Sequence, residues 1–212
     1  MQTFDRVAIK AEAKNVMRSY QSACISMMLI VVAVNLILVS VSFGFLSVLF
    51  SGLITVTAAG FYVHCWREAP ISIGDAISAS FDEGFLRKIG GMLWMQLKVF
   101  LWSLLFLIPG IVKSLSYALT PYILNEYPGV PAMDASKVSE KMMRGHRGDY
   151  FIMELSFLGW SLLSVLTAGI LHVVYVGPYM ELTKAGIYEE LKQIALDTGV
   201  VTQAELDGSI RN

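Results

Sequence analysis

Apolar blocks, several of them about a bilayer thickness long, alternate along this chain with shorter stretches in which charge recurs at helical spacing. A helix needs about 20 apolar residues to cross a ~30 Å hydrocarbon core, with a range of roughly 17–25. Residues 22–43, 45–66, 89–108, 111–125, 150–167 and 169–188 meet or approach that length. The fourth stretch is short and contains Pro121. Ser-Phe-Gly-Phe at 42–45, Ile-Pro-Gly at 108–110 and Leu-Thr-Ala-Gly at 166–169 are the connections, so consecutive stretches pair as antiparallel hairpins. The expected fold is all-α: a polytopic membrane bundle of about six transmembrane helices in three hairpins.

The polar stretches predict short amphipathic helices ahead of each hairpin. Arg6, Lys10, Lys14 and Arg18 recur every four residues and share one helix face, with Ile9, Ala13, Val16 and Tyr20 on another. Lys137, Lys141 and Arg144, followed by Arg147, repeat the basic stripe. Ile73, Ile77, Phe81 and Phe85 form an apolar stripe, with Asp75, Asp82 and Glu83 on the wet side. Helices of this kind lie at a membrane interface with their cations on anionic headgroups. The eight basic residues named are therefore the expected headgroup contacts on the cytoplasmic side. An aspartate near each start (Asp5, Asp75, Asp134) and a related breaker in each second helix (AAGFYV, LTPYIL, VGPYME) predict a threefold internal repeat over 5–66, 74–127 and 134–192. Residues 1–192 then form one transmembrane domain, and 193–212 form a cytoplasmic tail.

Charge sets the orientation. Lysine and arginine populate the N-terminal segment, the loops 66–90 and 126–149, and the C-terminal side, while the three short connections hold none. The positive-inside rule puts both termini in the cytoplasm. Composition agrees: 55% of the 212 residues are hydrophobic and 16% charged, against roughly 25% charged in a typical soluble domain. A net charge of −1 gives no reason to expect a nucleic-acid partner. The mixed charge of the first twenty residues and the full-length run behind them argue for a retained first helix, not a cleaved leader.

Candidate chemistry is sparse. Cys24 and Cys65 make no disulfide framework, but sit equally far along paired helices and so share a depth; with His64 they offer too few ligands for a metal. Ser47, Ser51, Thr55 and Ala59 read as a small-residue packing face. Trp94, Trp102 and Trp160 read as interfacial anchors. Pro121 and Pro178 are candidate kinks. Ionisable residues inside a membrane are the strongest functional pointers, and these are Lys98, Lys113, Glu154 and Glu181. Lys113 and Glu154 can reach an interface. Lys98 and Glu181 are deeper, at similar depth, and are expected to pair, with Glu154 the second choice and Lys184 the rival for the carboxylate. No metalloprotease, nucleophile-elbow or phosphate-loop motif occurs, so no catalytic residue, metal or cofactor is expected.

Three segments carry a resemblance: SLLFLIPGIVKSLSYALTPYIL, MRGHRGDYFIMELSFLGWSLLSVLTAGIL and VGPYM. With the opening AIKAEAKNVM, they resemble domain-of-unknown-function family nine-seven-five, an uncharacterised group of bacterial integral membrane proteins. His146-Arg147 and Lys98 depart from its usual pattern. The resemblance implies a polytopic protein of the bacterial plasma (inner) membrane and supplies no reaction. The expected function is non-enzymatic, through membrane lipids, a protein partner or a second copy of the chain. A small transporter or channel-like protein is the alternative, and an intramembrane lipid-modifying enzyme the second.

Overall fold

A computed structural model describes the chain except residues 1–3, 43–44, 70, 82–83, 106 and 209–212; side chains at 41–49, 105 and 107 also lie outside the description. Asp82 and Glu83, Arg211, the Ser47 side chain and the turn expected near 43–45 therefore fall wholly or partly outside it. Regular structure among the described residues is helical, without strands. The helices are α1 (Arg6–Ser19), α2 (Gln21–Ser42), α3 (Phe45–Trp66), α4 (Ile73–Ser78), α5 (Phe85–Leu105), α6 (Leu107–Ser116), α7 (Thr120–Glu126), α8 (Ala132–Met142), α9 (Arg147–Leu166), α10 (Gly177–Asp197) and α11 (Gln203–Leu206), with a π turn at His172–Val176.

Local chemistry accounts for the starts. Asp5 caps α1, its Oδ1 accepting from Val7 N at 2.8 Å and Ala8 N at 3.2 Å; such a cap stabilises by about 1 kcal/mol. Ser72 caps α4 by accepting from Asp75 N at 3.1 Å. Ile9, Ala13 and Val16 are buried as their spacing predicts, joined by Met17, while Tyr20 ends the helix half-buried.

α2 and α3 pair as a hairpin. Cys24 and Cys65 are both buried, with their thiols close to each other, and Tyr62 Oη donates to the Cys24 carbonyl at 3.1 Å. Their shared depth follows from equal distances to the turn.

The second hairpin departs from expectation in two ways. Ile108, Pro109 and Gly110 lie inside α6 instead of connecting two helices, a proline in a first turn having no intrahelical donor to lose. The expected fourth span is broken into α6 and α7 at residues 117–119. Pro121 sits in the first turn of α7, so it follows a break instead of kinking a continuous helix. Pro178 likewise opens α10 directly after the π turn, where Gly177 N donates to His172 O five residues back. Proline cannot donate to the carbonyl four residues earlier, and the wider turn absorbs that loss.

α8 repairs the break in the second hairpin. Ser139 is fully buried; its Oγ accepts from Leu119 N at 3.1 Å and donates to Ser116 O at 2.9 Å. One hydroxyl thus satisfies a donor and an acceptor that the interrupted helix leaves open, as apolar surroundings require. α8 packs along α5 and α7 and is not a detached surface helix.

The core gathers α1, the first turns of α2, the second half of α3, α7, α8 and α10. Towards the hairpin turns the exterior becomes apolar: Leu36 is 63% exposed, Leu104 73% and Leu166 83%. Two helical segments, Gln21–Ser40 and Arg147–Leu166, are long and apolar enough to cross a membrane. At the C-terminus α10 runs through the boundary expected at 192 and ends at Asp197; beyond it Val201 and Leu206 are buried and Lys141 pairs with Glu205.

Candidate functional site: a cavity with a charge triad

Six helices line an open cavity of about 630 Å³ between the hairpins. α3 contributes Thr55 and Ala59; α5 contributes Gln96, Val99 and Ser103. The broken helix supplies Ser114, Tyr117 and Tyr122, α9 supplies Tyr150 and Glu154, and α10 supplies Glu181 and Lys184. The volume falls in the range of ~300–1,000 Å³ that small-molecule sites occupy. Thr55 and Ala59, expected as a packing face, form part of this wall. Pro121 lines it as well, placing the helix break beside the cavity.

Lys184 holds the charged side together. Its Nζ donates to Glu181 Oε1 at 3.3 Å and lies 3.5 Å from Glu154 Oε1. Glu181 and Lys184 lie one turn apart on α10, while Glu154 comes across from α9. Two carboxylates therefore face one ammonium, and no other charged residue is among the described lining.

The expected pairing of Lys98 with Glu181 does not form. Equal depth is necessary for contact, but rotation about the helix axis decides it. Lys98 faces α8 and donates to Ser136 Oγ at 2.9 Å, with its Nζ 5.2 Å from the Trp94 ring centre and 5.4 Å from that of Tyr117. Lys113 also turns to α8, donating to Glu140 Oε1 at 2.7 Å between the rings of Trp102 and Tyr117. Trp94 and Trp102 thus serve as cation platforms; each such contact contributes roughly 0.5–2 kcal/mol.

The expected headgroup residues divide. Arg6 pairs with Asp149, Lys137 with Asp134, Lys141 with Glu205 and Arg147 with Glu140. Lys10 donates to Ser156 and stands over the Phe157 ring, and Lys14 lies over Tyr179. Arg18 and Arg144 are exposed. Arg6, Lys10, Lys14, Lys141 and Arg147 therefore also tie their helices to neighbouring elements, while Lys137 pairs within its own helix. Burial lowers the Lys10 ammonium from its ordinary value, with Lys14 and Arg6 acting in the same direction.

A second ionic cluster, which sequence reasoning missed, ties α3, α7 and α10 together. Glu126 accepts from Arg67 Nη2 at 2.7 Å, Tyr188 Oη at 2.6 Å and Lys192 Nζ at 3.1 Å, and Arg67 also reaches Glu189. Burial pushes the Glu126 carboxyl up, but the Tyr188 and Arg67 hydrogen bonds and the nearby Lys192 outweigh it and hold the group below its ordinary value. The only local signal was Glu189 three residues before Lys192. Among the described residues no cluster of three or more potential metal ligands occurs.

Residues 104–195 match a family described as "Protein of unknown function (DUF975)". No curated protein and no solved structure matches the chain. The family match runs from the end of α5 into α10 and takes in the helix break, its Ser139 bridge and all three members of the triad. Lys98, Gln96 and the α3 wall lie outside it.

Proposed function

We propose that this chain is a polytopic integral membrane protein, non-enzymatic, whose interhelical cavity binds a membrane amphiphile. The observation that carries the reading is the 630 Å³ cavity: a mostly apolar wall, a charged triad on one side, and neighbouring helices whose outer surfaces are apolar. Large exposed apolar surfaces mark contact with protein or membrane. Here they extend over the turn-proximal parts of α2, α5, α6 and α9. Six crossings with cytoplasmic termini remain the topology that the lysine and arginine distribution favours, and the family resemblance supports a bacterial plasma membrane. The three units 5–66, 74–127 and 134–192 are proposed as copies of one motif, each a short polar helix followed by a hairpin.

Mass spectrometry of the detergent-extracted full chain tests the reading. A defined lipid or other amphiphile should be retained by the protein and released when Ser103→Trp fills the cavity. Identical adducts in both proteins would refute occupancy of this site.

A transport role is the second reading, supported by the break at residues 117–119 and by Pro121 facing the cavity. Interrupted helices line many transport sites because freed backbone groups and altered packing meet there. Ligand-dependent flux into liposomes would distinguish transport from binding.

A further inference from the structure

Resting on the amphiphile-binding reading, we propose that the ligand carries a cationic, amine-type head, seated between Glu154 and the Glu181–Lys184 pair, with its hydrocarbon chain along Val99 and Phe100. The first ground is charge. Glu154 and Glu181 supply two negative charges to the cavity and Lys184 one positive charge. An uncompensated charge in apolar surroundings is costly unless it is neutralised, hydrated or paired.

The second ground is geometry. Glu181 accepts a hydrogen bond from Lys184, whereas Glu154 has Lys184 only at 3.5 Å and accepts no hydrogen bond among the described residues. Its side chain is 39% exposed, and it lines the cavity. Glu154 is thus the member of the triad with capacity left for a ligand. The neighbouring lysines do not supply the missing charge: Lys98 and Lys113 are held on α8, and Lys10 and Lys14 on the α9 and α10 rings.

The third ground is the lining. Apart from the triad the lining is mostly apolar, with Met95, Val99, Phe100 and Leu115 among its residues, which suits a hydrocarbon chain. Lys184 stands beside both carboxylates and repels a divalent metal ion twice as strongly as a monovalent ammonium, and two carboxylates fall short of the oxygen ligands a hard divalent cation takes. At about 30 Å³ per water-sized group, the volume holds roughly twenty such groups, the scale of a long-chain amine.

The test is equilibrium binding of labelled hexadecylamine, hexadecanol and palmitate to the detergent-purified full chain at neutral pH. These probes share a chain length and differ in head charge. The amine should bind at least tenfold more tightly than the other two, and Glu154→Gln should abolish that preference. Equal binding of all three, or an amine preference that survives in Glu154→Gln, overturns the cationic-head proposal while leaving amphiphile binding standing. Binding of no probe, or binding unaffected by Ser103→Trp, overturns the amphiphile reading and this inference together. The wild-type series needs no variant to fold, so the head-group comparison decides the proposal by itself.

Discussion

Replacing Lys184 by methionine isolates what the triad contributes to stability. At an effective dielectric of about 20, charges 3.3 and 3.5 Å apart attract by roughly 5 kcal/mol each before desolvation is counted. The Glu154 contact must be discounted, because that side chain is 39% exposed and solvent screens it. Removing one partner from a buried ionic group typically costs about 3–5 kcal/mol, since the remaining charge stays buried. Partial exposure here points to about 2–4 kcal/mol, a fall in Tm of roughly 5–15 °C for a chain of this size. Lys98→Met should cost less, about 1–2 kcal/mol, because no charge is stranded. It loses the hydrogen bond to Ser136, while its cation contacts with Trp94 and Tyr117 are largely replaced by sulfur–aromatic contacts of the methionine. Combining Lys184→Met with Glu154→Gln and Glu181→Gln should recover much of the loss, because no buried charge is then stranded. Thermal unfolding in one detergent is the assay. A Lys184→Met loss no greater than that of Lys98→Met, or a triple variant whose loss is the sum of its parts, would refute the argument.

Three further outcomes follow from other parts of the molecule. Glu126 has a folded pKa below its ordinary value, so its contribution is fully present above the unfolded pKa and is lost as pH falls through the folded one; Glu126→Gln should cost about 1.5–3 kcal/mol at neutral pH and flatten that acid limb in chemical unfolding, and an unchanged limb would count against the cluster. The Cys24–Cys65 contact should shift the infrared S–H stretch of Cys24, and Cys65→Ala should move that band; an unchanged band would mean that the thiols do not touch. Truncation after Thr198 removes the buried Val201 and Leu206, each worth roughly 1.5–3 kcal/mol of burial, so Tm should fall measurably, and an unaltered Tm would show that the segment does not dock.

Helices were legible where the signal is one-dimensional. The run at 45–66 coincides with α3 because length and apolarity alone define it. The buried face of α1 follows from periodicity, which fixes which residues share a side. Lys98 shows where this reasoning stops, since depth along an axis says nothing about the direction of a side chain around it. The basic stripe of α8 drew the reading to one face and left the packing of the helix on α5 and α7 unread. Its other face held the correcting signal: Ala135, Val138 and Met142 at helical spacing, with Ser136 and Ser139 beside them, all buried. Small residues on such a face permit close helix approach. The Glu126 cluster had no comparable pattern, because its members come from residues 67, 126, 188 and 192.

These placements explain a lysine inside an apolar run. α5 has two working faces: Gln96, Val99 and Ser103 line the cavity, while Lys98 reaches Ser136 on α8. Lys113 does the same from α6 through Glu140. Ser136, Ser139 and Glu140 lie within a little over one turn of α8, and Ser139 is the residue that bridges the break at 117–119. The two lysines therefore fix α8 on either side of that bridge. The bridge in turn holds the ends of α6 and α7, which carry Tyr117 and Tyr122 into the cavity wall. Lys98 is thus connected to the cavity wall through α8 and the helix break, and its charge is not part of the lining.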